Sequence, residues 1–149
     1  MRVLFLDIDG VLNSRRTAVA FDGYPHSFTE ADMRRFDHVA IALVRRLCDE
    51  TGCSVVLSSD WRYDHTAHQA ANGLDLPIMD ATPKLSGIRG LEINAWLNSR
   101  QDVTHYAIVD DVAQMMPSQQ ANFVQTDELH GLTLTDYLDL KRILMKEAA

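Results

Sequence analysis

Several short apolar runs in the sequence end in side chains that can bind a metal ion or transfer a proton. The runs at residues 3–6, 55–57 and 106–109 are followed in turn by Asp7 and Asp9, by Ser58, and by Asp110 and Asp111. Neighbouring carboxylates repel one another unless a cation or a proton neutralises them. Oxygen ligands of this kind favour the hard cation Mg²⁺. The sequence therefore predicts a Mg²⁺ site built from aspartates.

The first acidic pair has a spacing that suits two different chemical roles. Asp7 and Asp9 are two residues apart, so on an extended chain both side chains leave from the same face. Gly10 follows them and permits a turn in which the backbone closely approaches a ligand. One carboxylate of such a pair can stay ionised as a nucleophile, while the other donates and accepts a proton.

The residues between the apolar runs predict the elements that position these side chains. The runs are typical of strands buried on both faces, and residues 122–125 are a weaker example. Helical spacing of apolar residues predicts a helix that ends at Gly52, one that begins near Arg89, and one capped by Thr133 with Asp136. Alternating strands and helices predict an α/β sandwich with a mainly parallel sheet. In such sheets ligands bind beyond the carboxyl ends of the strands.

Composition limits the class of protein and of partner. The chain has 149 residues, of which 46% are apolar, so we expect one domain over residues 1–149. Its net charge of −7 argues against nonspecific nucleic-acid coating and against binding to an anionic membrane. No apolar run approaches the roughly 18 residues of a membrane span, and the apolar start is too short for a signal peptide. We expect a cytoplasmic protein without an obligate protein partner.

The motifs, in their order along the chain, resemble those of the haloacid dehalogenase (HAD) superfamily. The resemblance covers residues 3 to 111. It rests on Asp7-x-Asp9-Gly10, on Ser58, on a basic residue that opens a helix, and on the pair Asp110-Asp111. It implies a Rossmann-like three-layer sandwich that transfers phosphoryl groups through an aspartyl-phosphate with Mg²⁺. The acid at Asp9 favours phosphate chemistry over dehalogenation.

The resemblance also implies a role for each motif residue. Asp7 becomes the nucleophile and a metal ligand. Asp9 becomes the general acid/base, with its backbone carbonyl on the metal. Ser58 is expected to hydrogen-bond the phosphoryl group, and Asp110 and Asp111 to hold the metal directly or through water.

The basic residue that opens the helix and the residues that contact the substrate each have more than one candidate. Both Lys84 and Arg89 precede the predicted helix, and Arg89 is favoured because it stands at the start of that helix. Gly10, Ser59 and Lys84 are further candidates for substrate binding. Arg62 matches a phosphate-contacting arginine of the polynucleotide kinase 3′-phosphatases and of small HAD proteins of RNA-repair systems, which the chain also resembles. The alternative for Arg62 is a surface ion pair with Asp60 or Asp64.

The segments that carry a cap domain in many HAD proteins are short in this chain. Residues 13–36 and 63–88 are each too few for a full cap domain. Residues 13–36 can form a small flap over the site, and a solvated loop is the alternative. An open site suits a large substrate end, such as a polymer terminus or a phosphoprotein, more than a small sugar phosphate. The resemblance to the 3′-phosphatases implies a nucleotide or a nucleic-acid 3′-phosphate end as substrate. Alternatives are another small phosphorylated metabolite, a phosphoprotein, or a catalytically silent binding protein.

Overall fold

The fold is that of a computed structural model, which describes residues 1–147. The strands are β1 (Arg2–Leu6), β2 (Ser54–Leu57), β3 (Ile78–Ala81), β4 (His105–Asp110) and β5 (Phe123–Gln125). The α-helices are α1 (Arg15–Ala20), α2 (Glu30–Met33), α3 (His38–Thr51), α4 (Ala67–Leu74), α5 (Arg89–Asn98) and α6 (Leu134–Met145). Short 3₁₀ helices span Asp60–Tyr63 and Pro117–Asn122. None of the helices in residues 1–147 has the length and apolar composition needed to cross a bilayer.

The strands form one parallel sheet in the order β3-β2-β1-β4-β5, which confirms the predicted α/β sandwich. Side chains of β1 alternate between two apolar clusters, as the period of a strand requires. Leu4 and Leu6 pack on the side of α3, α4 and α6. Val3 and Phe5 pack on the other side with Trp96 of α5, whose ring lies edge-on to Phe5 at 5.5 Å. The sheet is thus the middle of three layers.

The strand register aligns the ends of the three central strands. Leu6 of β1 pairs with Leu57 of β2 and with Val109 of β4. The residues that come next therefore lie side by side at the carboxyl edge of the sheet: Asp7, Ser58 and Asp110. Backbone hydrogen bonds extend the pairing by one residue, from the Asp7 N–H to the Val109 carbonyl and from the Ser58 N–H to the Leu6 carbonyl.

The predicted helices and the weak strand are all present. Gly52 ends α3 in the left-handed conformation with φ of 70°, and Thr133 caps α6 in a reciprocal arrangement with Asp136. The sequence reasoning missed β3 and α4. β3 is an edge strand whose Met79 and Asp80 are exposed, so it lacks the continuous apolar run of a buried strand.

No separate cap domain is present in the part of the chain that the structure describes. Residues 63–88 contribute α4 and β3 to the sandwich itself, and residues 13–36 carry only the two short helices α1 and α2. The domain boundary predicted at residue 149 lies outside the described residues.

Candidate active site

Three aspartates from the ends of β1 and β4 form a compact cluster of carboxylates. Asp7, Asp110 and Asp111 each contribute one oxygen atom, and these atoms lie within 4.8 Å of one another. Asp7 and Asp110 are buried, and Asp111 is half-buried. The cluster follows from the register, which sets Asp7 beside Asp110 at the edge of the parallel sheet.

The charges of this cluster are compatible with a bound cation. Burial raises the pKa of the Asp7 carboxyl well above its usual range, and the charge of Asp110 raises it further. Burial likewise raises the pKa of Asp111. Three carboxylates and the single positive charge of Arg89 leave two negative charges in a largely buried place. A divalent cation with a preference for oxygen ligands fits this donor set in charge and in chemistry.

Arg89 supplies the positive charge within the cluster. It is the first residue of α5, and its Nη1 atom lies 2.6 Å from Asp110 Oδ2 and 3.3 Å from Asp7 Oδ1. Its Nη2 atom lies 3.1 Å from Asp60 Oδ1. Lys84, the other candidate, is exposed, with its Nζ atom 5.1 Å from the centre of the Tyr63 ring. The structure therefore brings Arg89, and not Lys84, to the carboxylates.

Asp9 follows β1 two residues after Asp7, and its side chain is exposed. Its Oδ1 atom accepts hydrogen bonds from Asn13 Nδ2 at 3.0 Å and from Trp61 Nε1 at 3.1 Å. These two donors fix the orientation of the Asp9 carboxylate. The sequence analysis identified neither of these two donors. The spacing of Asn13 after Gly10 was an available signal, because Asn side chains commonly bond the backbone of nearby turns.

Gly10 allows the chain to turn closely under Asp111. Its φ of 79° lies in the left-handed region, and a Cβ atom at this position would overlap the Asp111 carboxyl group. The Gly10 N–H donates to Asn13 Oδ1 at 3.1 Å, and its carbonyl accepts from Thr126 Oγ1 at 2.7 Å. The turn after β1 is therefore tied to the segment after β5.

The two serines after β2 differ in their hydrogen bonding. The Ser58 hydroxyl is buried and has no hydrogen-bond partner in residues 1–147. A buried polar atom without a partner is costly, and such an atom at a functional site is often completed by a ligand. Ser59 caps the following 3₁₀ helix, because its Oγ atom accepts from the Trp61 N–H at 3.2 Å. Ser58 is thus the hydroxyl that is free to contact a substrate.

Arg62, for which the sequence resemblance implies a contact with substrate phosphate, is buried in the structure. Its side chain is 1% exposed, and it forms an ion pair with the buried carboxylate of Glu92. It also donates to the carbonyls of Ser59 at 2.9 Å and Thr82 at 3.2 Å. Asp60 is a weaker partner, 3.6 Å from Nη1. The structure does not bring Arg62 to the aspartate cluster, and Glu92 was not recognised in the sequence.

A cavity of about 320 Å³ opens between the site and the segment 13–36. Its wall consists of Asp9, Gly10, Tyr24, Pro25, His26, Asp111 and Glu128. The middle of the segment thus lines the same cavity as Asp9 and Asp111. A second cavity of about 250 Å³ adjoins it and shares Asp9 and His26.

A parallel sandwich with this order of acidic strand ends, a hydroxyl on the neighbouring strand and an arginine at a helix start defines a HAD domain. The chain belongs to the family described as the HAD domain in Swiss Army Knife RNA repair proteins, whose family model matches residues 3–137. This confirms the resemblance seen in the sequence. No curated protein and no solved structure matches the chain. Membership of a HAD family suggests a phosphatase-type hydrolase.

Proposed function

We propose that the protein is a Mg²⁺-dependent phosphomonoester hydrolase that forms an aspartyl-phosphate on Asp7. The observation that carries this proposal is the cluster of Asp7, Asp110 and Asp111, in which the guanidinium of Arg89 contacts Asp7 and Asp110. A carboxylate attacks a phosphate anion only when positive charge offsets their repulsion. The contact between the Asp7 carboxylate and the Arg89 guanidinium supports the proposal.

The metal ion is expected on the three clustered carboxylates, with the backbone carbonyl of Asp9 as a further ligand. When bound, it would neutralise charge on the phosphoryl oxygens and on the cluster. Arg89 would also offset the negative charge of the carboxylates and of the phosphoryl oxygens. It lies at the start of α5 and contacts two of the carboxylates.

The residues of this chain then divide the reaction between them. A carboxylate oxygen of Asp7 attacks phosphorus, and the bond between phosphorus and the ester oxygen breaks while Asp9 donates a proton to that oxygen. Asp9 next takes a proton from water, which attacks phosphorus, releases inorganic phosphate and restores Asp7. The unpartnered hydroxyl of Ser58 donates a hydrogen bond to a phosphoryl oxygen throughout.

The substrate class that we propose is a nucleotide or a nucleic-acid 3′-phosphate end. Two observations support it. The family is described by its occurrence in RNA repair proteins, and the chain has no cap domain in residues 1–147, so the site is open to a large substrate.

Hydrolysis of a chromogenic phosphate ester tests the proposed chemistry. We expect activity with Mg²⁺, loss of activity with EDTA, and loss of activity in Asp7→Asn at any Mg²⁺ concentration. Asp139→Asn is the matched control, because Asp139 lies on α6 and forms an exposed ion pair with Arg142. Activity that persists in both EDTA and Asp7→Asn would contradict the mechanism. No activity on a broad panel that includes 3′-phosphorylated oligonucleotides would favour a catalytically silent binding protein.

A further inference from the structure

The Asp9 carboxylate receives both of its hydrogen bonds on one oxygen atom. Asn13 Nδ2 and Trp61 Nε1 donate to Oδ1 at 3.0 Å and 3.1 Å, and no donor in residues 1–147 reaches Oδ2. Asp9 lines two adjoining cavities, and Oδ2 is the oxygen left for contact with a substrate there. Because two N–H groups already occupy Oδ1, a proton on this carboxyl group belongs on Oδ2.

The amide of Asn13 is held with its nitrogen toward Asp9. Its side chain is buried, and its Oδ1 atom accepts a hydrogen bond from the Gly10 N–H at 3.1 Å. Because a backbone N–H can only donate, the amide oxygen must point to Gly10, which leaves the NH₂ group for Asp9. The turn after β1 thus places a donor beside the carboxylate that the same strand end carries.

The indole of Trp61 is held by the aromatic residues around it. Trp61 is 7% exposed and lies in the 3₁₀ helix after β2, where its backbone N–H donates to Ser59 Oγ at 3.2 Å. Its ring packs against Phe28 and Phe36, with ring centres 5.0 Å and 5.7 Å away. A buried indole offers one donor and needs one partner, which here is the carboxylate of Asp9. The segment after β2 therefore orients an acid at the end of β1.

We propose that Asn13 and Trp61 are positioning residues that hold Asp9 with its Oδ2 atom toward the oxygen of the leaving group. The inference rests on the proposed function, in which Asp9 donates a proton to that oxygen. As the bond between phosphorus and the ester oxygen breaks, its electron pair stays on the oxygen and the proton moves there from Oδ2. Asn13 and Trp61 keep their own protons throughout and act only through the orientation of Asp9.

The nature of the leaving group distinguishes the orientation of Asp9 from general damage to the site. The para-nitrophenolate ion leaves without a proton, whereas the alkoxide of a benzyl ester is a poor leaving group that needs one. We therefore compare para-nitrophenyl phosphate with benzyl phosphate, since each ester carries a single ring. The measured quantity is kcat/KM, which reports the steps up to departure of the leaving group. The ratio of the two kcat/KM values on one preparation does not depend on the fraction of the enzyme that is folded.

Trp61→Phe removes the indole N–H and keeps an aromatic ring in place. We expect kcat/KM for benzyl phosphate to fall about tenfold, with a change of less than about twofold for para-nitrophenyl phosphate. Asn13→Ala removes the other donor and is expected to shift the ratio in the same direction. Trp96→Phe is the matched control, because Trp96 is a buried indole that donates to Asp80 Oδ2 of the edge strand β3 at 2.8 Å. It is expected to leave the ratio unchanged, and an equal shift in this control would overturn the inference.

Asp9→Asn on the same two esters separates the failure of this inference from that of the proposed function. This variant is expected to lower kcat/KM for benzyl phosphate at least about 10²-fold and to affect para-nitrophenyl phosphate far less. If it does so while Trp61→Phe and Asn13→Ala lower both esters equally, or neither, the inference is overturned and the proposed function stands. A wild type that hydrolyses only para-nitrophenyl phosphate, or an Asp9→Asn variant without this selectivity, overturns the acid role of Asp9 and the inference with it. A wild type that is inactive on both esters overturns the proposed function as a whole.

Discussion

The guanidinium of Arg62 and the carboxylate of Glu92 form an ion pair inside the protein, with side chains that are 1% and 7% exposed. Arg62 lies in the 3₁₀ helix after β2, and Glu92 lies on α5, three residues after Arg89. Glu92 also accepts a hydrogen bond from the Leu85 N–H at 2.9 Å. The pair therefore joins the segment after β2 to the helix that carries the arginine of the site.

Removal of one partner of this pair is expected to be strongly destabilising. Arg62→Met leaves Glu92 buried without its cation, and a loss of about 3–5 kcal/mol in the free energy of unfolding is expected. Urea denaturation measures this loss. Arg142→Met is the control, because Arg142 forms an exposed pair with Asp139 that is worth less than about 1 kcal/mol. Equal losses in the free energy of unfolding for the two substitutions would show that the buried pair stabilises the fold no more than the exposed pair does.

Arg89 and Lys84 are expected to differ sharply in their effect on catalysis. Arg89→Met removes the guanidinium that contacts Asp7 and Asp110, so we expect kcat to fall about 10²–10³-fold. Lys84→Met removes an exposed ammonium next to Tyr63, so kcat is expected to stay close to that of the wild type. Chromogenic ester kinetics measure both values. A large loss of kcat in Lys84→Met with no loss in Arg89→Met would show that Lys84, and not Arg89, supplies the positive charge used in catalysis.

Ser58 is expected to matter for activity and not for stability. Its buried hydroxyl has no partner in residues 1–147, so Ser58→Ala removes no hydrogen bond and keeps the free energy of unfolding within about 0.5 kcal/mol of the wild type, or raises it. Because the hydroxyl is expected to contact the phosphoryl group, kcat should fall about 10²-fold. Thermal denaturation and ester hydrolysis together check this prediction.

Thr82 provides the matched control for Ser58. Its hydroxyl is also buried and unpartnered in the part of the chain that the structure describes, but it follows β3 and lies one strand further from β1. Thr82→Val should therefore preserve both stability and kcat. A loss of activity in Thr82→Val equal to that in Ser58→Ala would show that buried hydroxyls at this edge act through packing.

The sequence predicted the parts of the site that depend on strand ends. Asp7, Ser58 and Asp110 each follow an apolar run, and the parallel pairing of β1, β2 and β4 brings them together. The contacts between distant segments were not visible in the sequence. Trp61 donates to Asp9 across 52 positions, and such a contact leaves no local pattern.

The amphipathic pattern of α6 predicts only some of the residues that this helix buries. Leu134 and Leu138 fit the apolar spacing but are 62% and 54% exposed, whereas Leu140 is fully buried. Apolar side chains on a helix face meet the core only where the neighbouring elements cover them. Which apolar residues of α6 are buried depends on how α6 packs against α3 and the sheet, and this packing cannot be seen in the sequence of α6 alone.

Glu50 is expected to make stability depend on pH in the acid range. Hydrogen bonds from Lys141 and Tyr137 lower the pKa of Glu50 from 4.5 to about 2. A carboxylate with a lowered pKa stabilises the fold above its unfolded pKa, and this contribution is lost as the pH falls towards the folded pKa. Glu50→Gln should therefore have a lower Tm than the wild type above pH 5, and the difference should shrink between pH 4.5 and 2. A difference that stays constant over that range would contradict this role.

Trapping of the covalent intermediate tests the central claim most directly. Asp9→Asn lacks the proposed base for the second step, so a chromogenic ester with a good leaving group should phosphorylate Asp7 faster than water removes the phosphoryl group. Acid quench followed by peptide mass spectrometry should find one phosphoryl group on Asp7 in Asp9→Asn and none in the double variant Asp7→Asn/Asp9→Asn. Phosphorylation of a different residue, or release of the chromogenic leaving group in single turnovers by Asp9→Asn without any phosphoryl group on Asp7, would contradict Asp7 as the nucleophile.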